Sequence, residues 1–291
     1  MLDIYLQLIV SGILSGGIYA LVSVGLTLIL GVMNVTNFAH GEFLMLSLYI
    51  VYWLVQLFNM NPYLSIIITV PLMFILGIIT ENIIIRPTIG RPAFIHTFVT
   101  LGLSIILQNI ALIFWSANYR TIGTNSAMHS IKLGNIVVSI PQLIIFTAAL
   151  GIAFLFNLFL NHSWMGKAIR ATSQNRDAAQ LMGININRVF MITFGIGIAS
   201  LGVAGSLLMP IYCVYPMVGF QFVLVAFIAV VMGGLGSIKG AVIASFLIGV
   251  IETLSGYFIS TSMKQAFVFL LFILVLMFMP NGLYGGRNKI V

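Results

Sequence analysis

The polar residues that could do chemistry in this sequence match none of the common enzyme motifs. His40 and Glu42 have the spacing of a zinc deaminase motif, but its Pro-Cys-x-x-Cys partner is missing and Cys213 is the single cysteine. Lys167 follows a glycine but lacks the flanking residues of a P-loop, so we expect no nucleotide phosphate site. Ser237 and Lys239 lie on a glycine-rich break, which is more typical of a turn than of a catalytic pair. The sequence therefore predicts no catalytic residue, no metal site and no cofactor held by this chain.

The rest of the chain consists of apolar segments long enough to cross a membrane. The 291 residues are 61% hydrophobic and 6% charged, whereas a soluble domain carries about 25% charged residues. Apolar runs of about 20 residues recur, which is typical of spanning helices. We predict an all-α polytopic membrane protein with eight or nine membrane helices or half-helices, forming one transmembrane domain over residues 1–291.

The apolar runs and their breaks predict where each helix lies. The first helix carries Gly12, Gly16 and Gly17, a small-residue spacing that favours close packing on another helix. A loop is expected from Ala117 to Ser139. The predicted helices cover about 3–30, a segment ending near 58, 63–85, 94–115, 140–160, 189–210, 241–260 and 265–279, with a shorter apolar segment over 220–236.

Lys and Arg placement predicts how the chain sits in the membrane. With the N-terminus outside and Met232 to Ala241 counted as a return to the inside, nine basic residues lie inside and three outside. This bias places residues 161–189 in the cytoplasm and assigns the net charge of +7 to orientation rather than to nucleic acid binding. If Phe220 to Gly236 is a re-entrant half-helix, the side of one terminus changes. The inner residues are Arg86, Arg91, Lys167, Arg170, Arg176, Arg188, Lys239, Arg287 and Lys289, and the outer ones are Arg120, Lys132 and Lys264.

Polar residues inside the apolar segments are candidates for function, because each needs a partner or a wet cavity. Asn37, His40 and Glu42 form either a water-exposed connection at the inner surface or a brace for a bent helix start, with Asn37 as the helix N-cap. Glu252 is a candidate for a gating or structural ion pair, and Glu81 is expected to neutralise Arg86. Ser104, Gln108 and Asn109 lie on one helix, where they could line a path or bond between helices.

The stretch from Gly166 to Arg188 is the one long polar and basic passage. Ser173 through Met182 is predicted to form one short amphipathic helix that ends at Gly183. Its small residues favour docking against another protein over lying at a lipid interface, which selects bulky apolar side chains. The candidate docking residues are Arg176, Asp177, Ala178, Ala179, Leu181, Met182 and Gly183.

Several segments resemble those of a known family. DAAQLMG, Asp177 to Gly183, resembles the EAA-x-x-x-G coupling loop of ABC-importer permeases, with Asp177 in place of Glu and without the downstream Leu-Pro of many such loops, which leaves the docking register open. Four further segments resemble the branched-chain amino acid permeases: GLTLILGVMNVTNFAHGEFLMLSLY (Gly25 to Tyr49), IIRP (Ile84 to Pro87), TLGLSIILQNIAL (Thr100 to Leu112) and GGLGSIKGA (Gly233 to Ala241).

The resemblance implies an ABC importer permease fold with a cytoplasmic coupling helix. It implies one half of an ATP-driven translocation path for Leu, Ile, Val or similar amino acids in a bacterial inner membrane. The implied partners are a second, paralogous permease, two cytoplasmic P-loop ATPases that hold ATP and Mg²⁺, and an extracytoplasmic binding protein; none is a nucleic acid. Ser104, Gln108 and Asn109 are the path candidates in this interpretation.

Two other functions stay open at this point. The same importer class could carry urea, short amides or other amino acids. An ion-coupled secondary transporter or channel would act alone and would show inverted repeats and acidic residues at the membrane centre. Glu252 is the one acidic candidate for that role, and no convincing repeat is visible.

Overall fold

A computed structural model describes residues 2–123, 130–133 and 136–285, and these residues form a helical bundle. The helices are α1 Leu2–Met33, α2 His40–Phe58, α3 Ile66–Thr80, α4 Ala93–Trp115, α5 Ile140–His162, α6 Trp164–Gln174, α7 Arg176–Leu181, α8 Ile186–Leu208, α9 Val218–Gly233, α10 Ile238–Phe258 and α11 Lys264–Phe278. A π-helical turn (Glu81–Ile85) and a 3₁₀ turn (Arg86–Thr88) extend α3, and a 3₁₀ turn (Thr261–Met263) precedes α11.

Eight of the described helices are long and apolar enough to cross a membrane. The prediction of an all-α polytopic membrane protein is therefore confirmed. Helix α9 has 16 residues and is shorter than these spans. The two strands among the described residues form a small antiparallel hairpin, β1 (Ser130–Leu133) and β2 (Ile136–Ser139), inside the predicted loop. Residues 124–129 and 134–135 of that loop lie outside the described residues.

Antiparallel packing of α1 and α10 shows which helix ends lie together. Tyr5 near the start of α1 stacks on Phe258 at the end of α10, with ring centroids 5.7 Å apart. At the other end of the pair, Gly31 packs directly on Gly236, in the turn between α9 and α10. Helix α9 therefore returns the chain to the end of the bundle where α1 finishes, which we call the inner end.

The C-terminal segment lies at the inner end as well. The amide of Leu283 donates to the carbonyl of Met232 at 2.8 Å, and the amide of Tyr284 donates to the carbonyl of Gly233 at 2.9 Å. The geometry thus agrees with counting Met232 to Ala241 as a return to the inside. Arg287 and Lys289, assigned to the inner side from the sequence, lie outside the described residues.

The glycines of α1 pack against neighbouring helices as predicted. A Cβ added to Gly12 would lie 2.6 Å from the Cα of Val250, and one added to Gly16 would lie 2.7 Å from the Cα of Phe246, both on α10. Gly17 has the same relation to α5, at 2.9 Å from the Cα of Phe146. These contacts bring backbones close enough for extensive van der Waals contact, which is what holds helices together in lipid.

The chain leaves the helical conformation at membrane depth between α1 and α2. One imidazole nitrogen of His40, at the start of α2, lies 3.0 Å from the carbonyl oxygen of Val22, two thirds of the way along α1. Residues 34–39 therefore run back from the inner end into the bundle before α2 begins. Non-helical backbone at such depth is tolerated where protein surrounds it or where it lines a cavity. The burial of Asn37, His40 and Glu42, none more than 1% exposed, favours the brace over a water-exposed connection.

Glu81 and Arg86 form no direct ion pair, although the Arg86 charge still acts on the Glu81 carboxyl group. The Arg86 guanidinium donates instead to the side-chain oxygen of Asn82 at 2.9 Å. Glu81 is fully buried in the π-helical turn, and neither of its carboxylate oxygens has a hydrogen-bond partner among the described residues. The π-helical turn shifts side chains around the helix relative to regular α geometry, so spacing along the sequence did not predict which neighbours would meet.

Candidate functional site

The polar stretch folds against the inner end of the bundle. The Ser163 hydroxyl caps α6 by accepting from the Gly166 amide at 2.8 Å. Gly166 packs on the carbonyl oxygen of Phe159, so the absence of a side chain there lets α6 turn back closely against α5. Ile169 and Ala168 are buried at 1% and 4% exposure, and α6 contacts α1, α5 and α8.

The stretch contains two helices rather than the single helix predicted from Ser173 through Met182. Asn175 is extended, with φ −152° and ψ 106°, which separates α6 from α7. Its side-chain oxygen accepts from the Ala178 amide at 2.9 Å, so Asn175 is the N-cap of α7. Asparagine favours this position because its short amide competes with the helical backbone for hydrogen bonds.

The predicted end of α7 at Gly183 is confirmed. Gly183 has a φ of +82°, in the left-handed region that side chains other than glycine rarely adopt. The amide of Ile184 donates to the Ala179 carbonyl at 3.1 Å, and the amide of Gly183 donates to the Gln180 carbonyl at 3.0 Å. This pairing is the Schellman pattern, which satisfies the last carbonyls of a helix.

Helix α7 has one face fixed to the bundle and one face open. The Arg176 guanidinium lies 5.1 Å from the ring centroid of Phe190 on α8, and Ala179 is buried at 5% exposure. Leu181 and Met182 are 88% and 83% exposed, although both are large and apolar. Asp177 and Ala178 are exposed as well. The open end of α7 thus presents two apolar side chains beside polar ones, which is the composition of a protein-docking surface.

A second group of predicted residues meets between α2 and α4. The Gln108 amide nitrogen donates to one carboxylate oxygen of Glu42 at 2.6 Å and lies 3.5 Å from the hydroxyl of Ser104. Glu42 is in the first turn of α2, 1% exposed, and its other carboxylate oxygen has no hydrogen-bond partner among the described residues. Glu42, which the sequence placed with Asn37 and His40, therefore joins two of the path candidates.

Asn109 does not belong to this group. It is exposed on another face of α4, and its amide nitrogen donates at 2.8 Å to the Ile105 carbonyl of its own helix. Ser104 and Gln108 are four residues apart and share a face, whereas Asn109 is one residue further and points about 100° away. The structure brings two of the three predicted path residues together and separates the third.

Asn37 and His40 are fully buried beside the start of α2, but Asn37 is not its N-cap. Helix α2 starts at His40 with Ala39 as the preceding residue, and the Asn37 side-chain oxygen accepts from the Ala39 amide at 3.1 Å. The Asn37 amide nitrogen and the second imidazole nitrogen of His40 have no partner among the described residues. Their burial and the Asn37–Ala39 hydrogen bond are what a structural role at the bend requires.

Glu252 lines a cavity near the outer end of the bundle. The Tyr19 hydroxyl on α1 donates to the Glu252 carboxylate at 2.5 Å, so Glu252 bonds to a neutral partner instead of the expected ion-pair partner. The cavity encloses about 250 Å³, and Tyr212, Gln221 and Gln265 also line it. Partial burial and the nearby Glu252 carboxylate raise the pKa of Tyr212, so its hydroxyl stays protonated.

Sequence reasoning missed the neighbours of Glu252. Gln221 and Gln265 are isolated amides near the starts of apolar helices, a signal that could have drawn attention to them. Nothing in the sequence marks Tyr19, since tyrosine is common in membrane helices. Among the described residues, no group of three or more His, Cys, Asp or Glu side chains could hold a metal ion.

Comparisons with known proteins match nearly the whole chain. The family model described as branched-chain amino acid transport system / permease component matches residues 8–276. The chain is 33% identical over 294 residues to the high-affinity branched-chain amino acid transport system permease protein BraD of Pseudomonas aeruginosa, covering 97% of this chain and 96% of the relative. It is 33% identical over 297 residues to the permease protein LivH of Escherichia coli, with the same coverage.

A more distant relative carries a different name. The chain is 27% identical over 239 residues to the ribose import permease protein RbsC of Haemophilus influenzae, covering 78% of this chain and 72% of the relative. No solved structure matches. With its eight apolar spans and the match over residues 8–276, the chain belongs to the branched-chain amino acid transport system permease family and is a multi-pass membrane permease component.

Proposed function

We propose that this chain is one of two membrane subunits of an ATP-driven importer for leucine, isoleucine, valine or similar hydrophobic amino acids. The observation that carries the proposal is α7, a capped helix fixed to α8 whose exposed Leu181 and Met182 lie at the inner end. The cargo is supported by the names of BraD and LivH, which are 33% identical over 97% of this chain.

The docking surface suits a cytoplasmic ATPase subunit. In this proposal, two P-loop ATPase subunits bind ATP and Mg²⁺, and one of them docks on α7. The chain itself binds no nucleotide. Helix α7 is short and held through Arg176 and Ala179, so a displacement of α7 moves α8 with it. Helix α6, which contacts α1, α5 and α8, would carry the same displacement into the bundle. Rigid-body motion of packed helices is a common way to convert a local displacement into a global change.

The translocation path is proposed along α4. Only 22% of the most apolar window of α4 is buried, so most of this helix is available to a second, paralogous permease subunit. Gln108, Ser104 and Glu42 supply polar groups beside that face, and Asn109 supplies one on it. Zwitterionic amino acids with apolar side chains need such a mixture of polar groups and apolar walls.

The proposed setting is the inner membrane of a bacterial cell. An extracytoplasmic binding protein would deliver the amino acid at the outer end, where α10 ends and α11 begins. Affinity for the cargo could then be supplied by that protein, and the permease would need only a transient path.

Purification of the tagged chain from native membranes, followed by uptake in vesicles, tests the proposal. We expect two ATPase subunits and a second permease to accompany it, and uptake of radiolabelled leucine to require ATP and the binding protein. A competition panel of valine, urea, acetamide and ribose identifies the cargo class. Recovery of the chain alone, with uptake driven by an ion gradient and insensitive to ATP, would show that the proposal is wrong.

A further inference from the structure

The cavity around Glu252 lies beside the first half of α9, which starts below the outer end of the bundle. Gly219, in the first turn of α9, packs directly on Gly41 at the start of α2. Helix α2 itself starts beside Val22, in the inner half of α1. The cavity is bounded by the outer half of α9, by α1, α10 and α11, and by the connection over 209–217, and it holds about 250 Å³.

The cavity is polar at its mouth and mixed at its base. Tyr212 in the connection is 37% exposed, and Gln221 and Gln265 are exposed, so these polar side chains lie at the opening, toward the outer end of the bundle. Deeper in the cavity, the Glu252 carboxylate accepts a hydrogen bond from the Tyr19 hydroxyl. Val225 and Val268, 8% and 3% exposed, form part of an apolar wall beside it.

The charge of the lining selects the ligand. Among the described lining residues, Glu252 is the one charged side chain and none is Lys or Arg. Tyr19 donates to one of its carboxylate oxygens, which leaves the other oxygen for a donor that enters the cavity. A single carboxylate with hydroxyl and aromatic neighbours suits an ammonium group, whereas Ca²⁺ requires about six to eight oxygen ligands.

The size of the cavity limits the ligand to a small molecule. Sites for drug-sized ligands enclose roughly 300–1,000 Å³, more than the cavity offers. At ~30 Å³ per water in the liquid, the cavity has room for about eight waters, which is enough for an aliphatic amino acid. Its apolar wall suits an aliphatic side chain.

From these contacts we propose that the Glu252 cavity is a second ligand site, within this one subunit, that binds the ammonium group of a small aliphatic amino acid entering from the outer side. The identity of the ligand as an amino acid rests on the proposed function. The recognition of an ammonium group rests on the cavity itself.

Binding to the purified membrane assembly, with the subunits that accompany this chain and without binding protein, tests the site. The probes are leucine, leucinol, which keeps the ammonium group and lacks the carboxylate, and isocaproate, which keeps the carboxylate and lacks the ammonium group. We expect leucine to compete with leucinol for the Glu252 cavity. Isocaproate should not compete with leucinol. Glu252→Gln should weaken leucinol binding at least about tenfold, because a charge-assisted hydrogen bond is lost.

Two further variants keep the test decisive. Glu81→Gln makes the same chemical change in a buried carboxyl at the inner end and should leave binding unchanged. Val225→Phe fills the cavity while keeping Glu252 and should abolish leucinol binding, so it gives an answer even if Glu252→Gln does not fold. Unchanged leucinol binding in Glu252→Gln or Val225→Phe, or competition by isocaproate as strong as that by leucinol, would overturn the site.

Leucine uptake in vesicles separates this inference from the proposed function. Normal ATP-dependent leucine uptake together with unchanged leucinol binding in Glu252→Gln would refute the ammonium site at Glu252 and support the proposed importer function. If leucine uptake is absent but leucinol binds and Glu252→Gln abolishes that binding, the proposed amino acid cargo is refuted and the ammonium site is supported.

Discussion

Glu42 and Gln108 show how a single hydrogen bond supports a buried carboxyl group inside the membrane. Glu42 is 1% exposed, and the Gln108 amide is its one hydrogen-bond donor among the described side chains, at 2.6 Å. A buried carboxylate is costly unless donors compensate for the water it loses. The pair also joins α2, which follows the non-helical segment, to α4, so its strength bears on how firmly the bend is held.

Gln108→Leu should destabilise the chain, because it removes this donor and leaves the carboxylate buried. We expect a loss of about 1.5–3 kcal/mol, seen as a lower thermal unfolding temperature in detergent. Asn109→Leu is the matched control, since Asn109 is exposed and bonds only within its own helix. The exchange of Glu42→Gln with Gln108→Glu should recover part of the loss. Equal unfolding temperatures for Gln108→Leu and Asn109→Leu would refute the role of the pair.

Gly183→Val should impair transport without preventing membrane insertion. The space around Gly183 is open, so the effect comes from its φ of +82°, where a side chain costs roughly 1–2 kcal/mol and more for a β-branched one. Gly90→Val is the matched control, with a φ of +85°, equally open space and a position away from α7. Uptake should fall in Gly183→Val and persist in Gly90→Val. Equal uptake by both variants would count against a coupling role of α7.

Close packing of α1 on α10 holds two long helices together through glycines. The contacts at Gly12 and Gly16 place the α10 backbone within about one methyl group of α1, and Gly249 packs back on both. The 32-residue helix α1 is the central element, since it contacts α5, α6, α8, α9 and α10. An error in its packing is therefore expected to affect the whole bundle.

Gly12→Ala should lower stability, because its Cβ would lie 2.6 Å from the Cα of Val250 and force the helices apart. Overpacking of this kind costs about 1–3 kcal/mol. Gly102→Ala on α4 adds the same methyl group to a helix where nothing lies within 4 Å, so it should be neutral or slightly stabilising. Thermal unfolding of both variants measures the difference, and a Gly12→Ala protein as stable as Gly102→Ala would exclude this packing.

The whole bundle leaves apolar side chains exposed at its inner end and along several of its helices. Helix α7 projects Leu181 and Met182 into solvent, and the helices α4, α5 and α11 have 22%, 11% and 6% of their apolar windows buried. Lipid covers such faces as readily as protein does, but apolar side chains exposed beyond the membrane need a protein partner to leave water. The inner end, where Leu181 and Met182 are exposed, is thus where partner binding is most directly testable.

Leu181→Asp should leave the fold unchanged and weaken association with the ATPase subunits. Leu181 is 88% exposed, so its replacement alters few contacts within the chain, whereas a buried charge in a docking groove is strongly unfavourable. We expect ATPase recovery with the tagged chain to fall by about tenfold or more. Leu235→Asp, at an exposed apolar position in the turn between α9 and α10, is the control and should retain the ATPases. Full ATPase recovery with Leu181→Asp would place the docking surface elsewhere.

Properties that depend on neighbouring residues were predictable from the sequence. The membrane class, the eight long helices and the end of α7 at Gly183 follow from apolar run length and from the backbone freedom of glycine. The break at Asn175 was missed, although asparagine is a common N-cap, because the residues on both sides also fit one continuous amphipathic helix. The pairing of Glu81 failed because a π-helical turn changes which side chains face each other.

The sequence by itself determined that this is a multi-pass membrane permease component with a helical polar stretch ending at Gly183, since composition, hydropathy and short motifs act locally. Only the tertiary structure decided that Gln108 meets Glu42, that Asn109 does not, and that Glu252 bonds to Tyr19 across 233 residues of chain. These pairings depend on the rotation and depth of each helix in the bundle. Rotation and depth are set by packing of many side chains at once, so spacing along one helix could not reveal them.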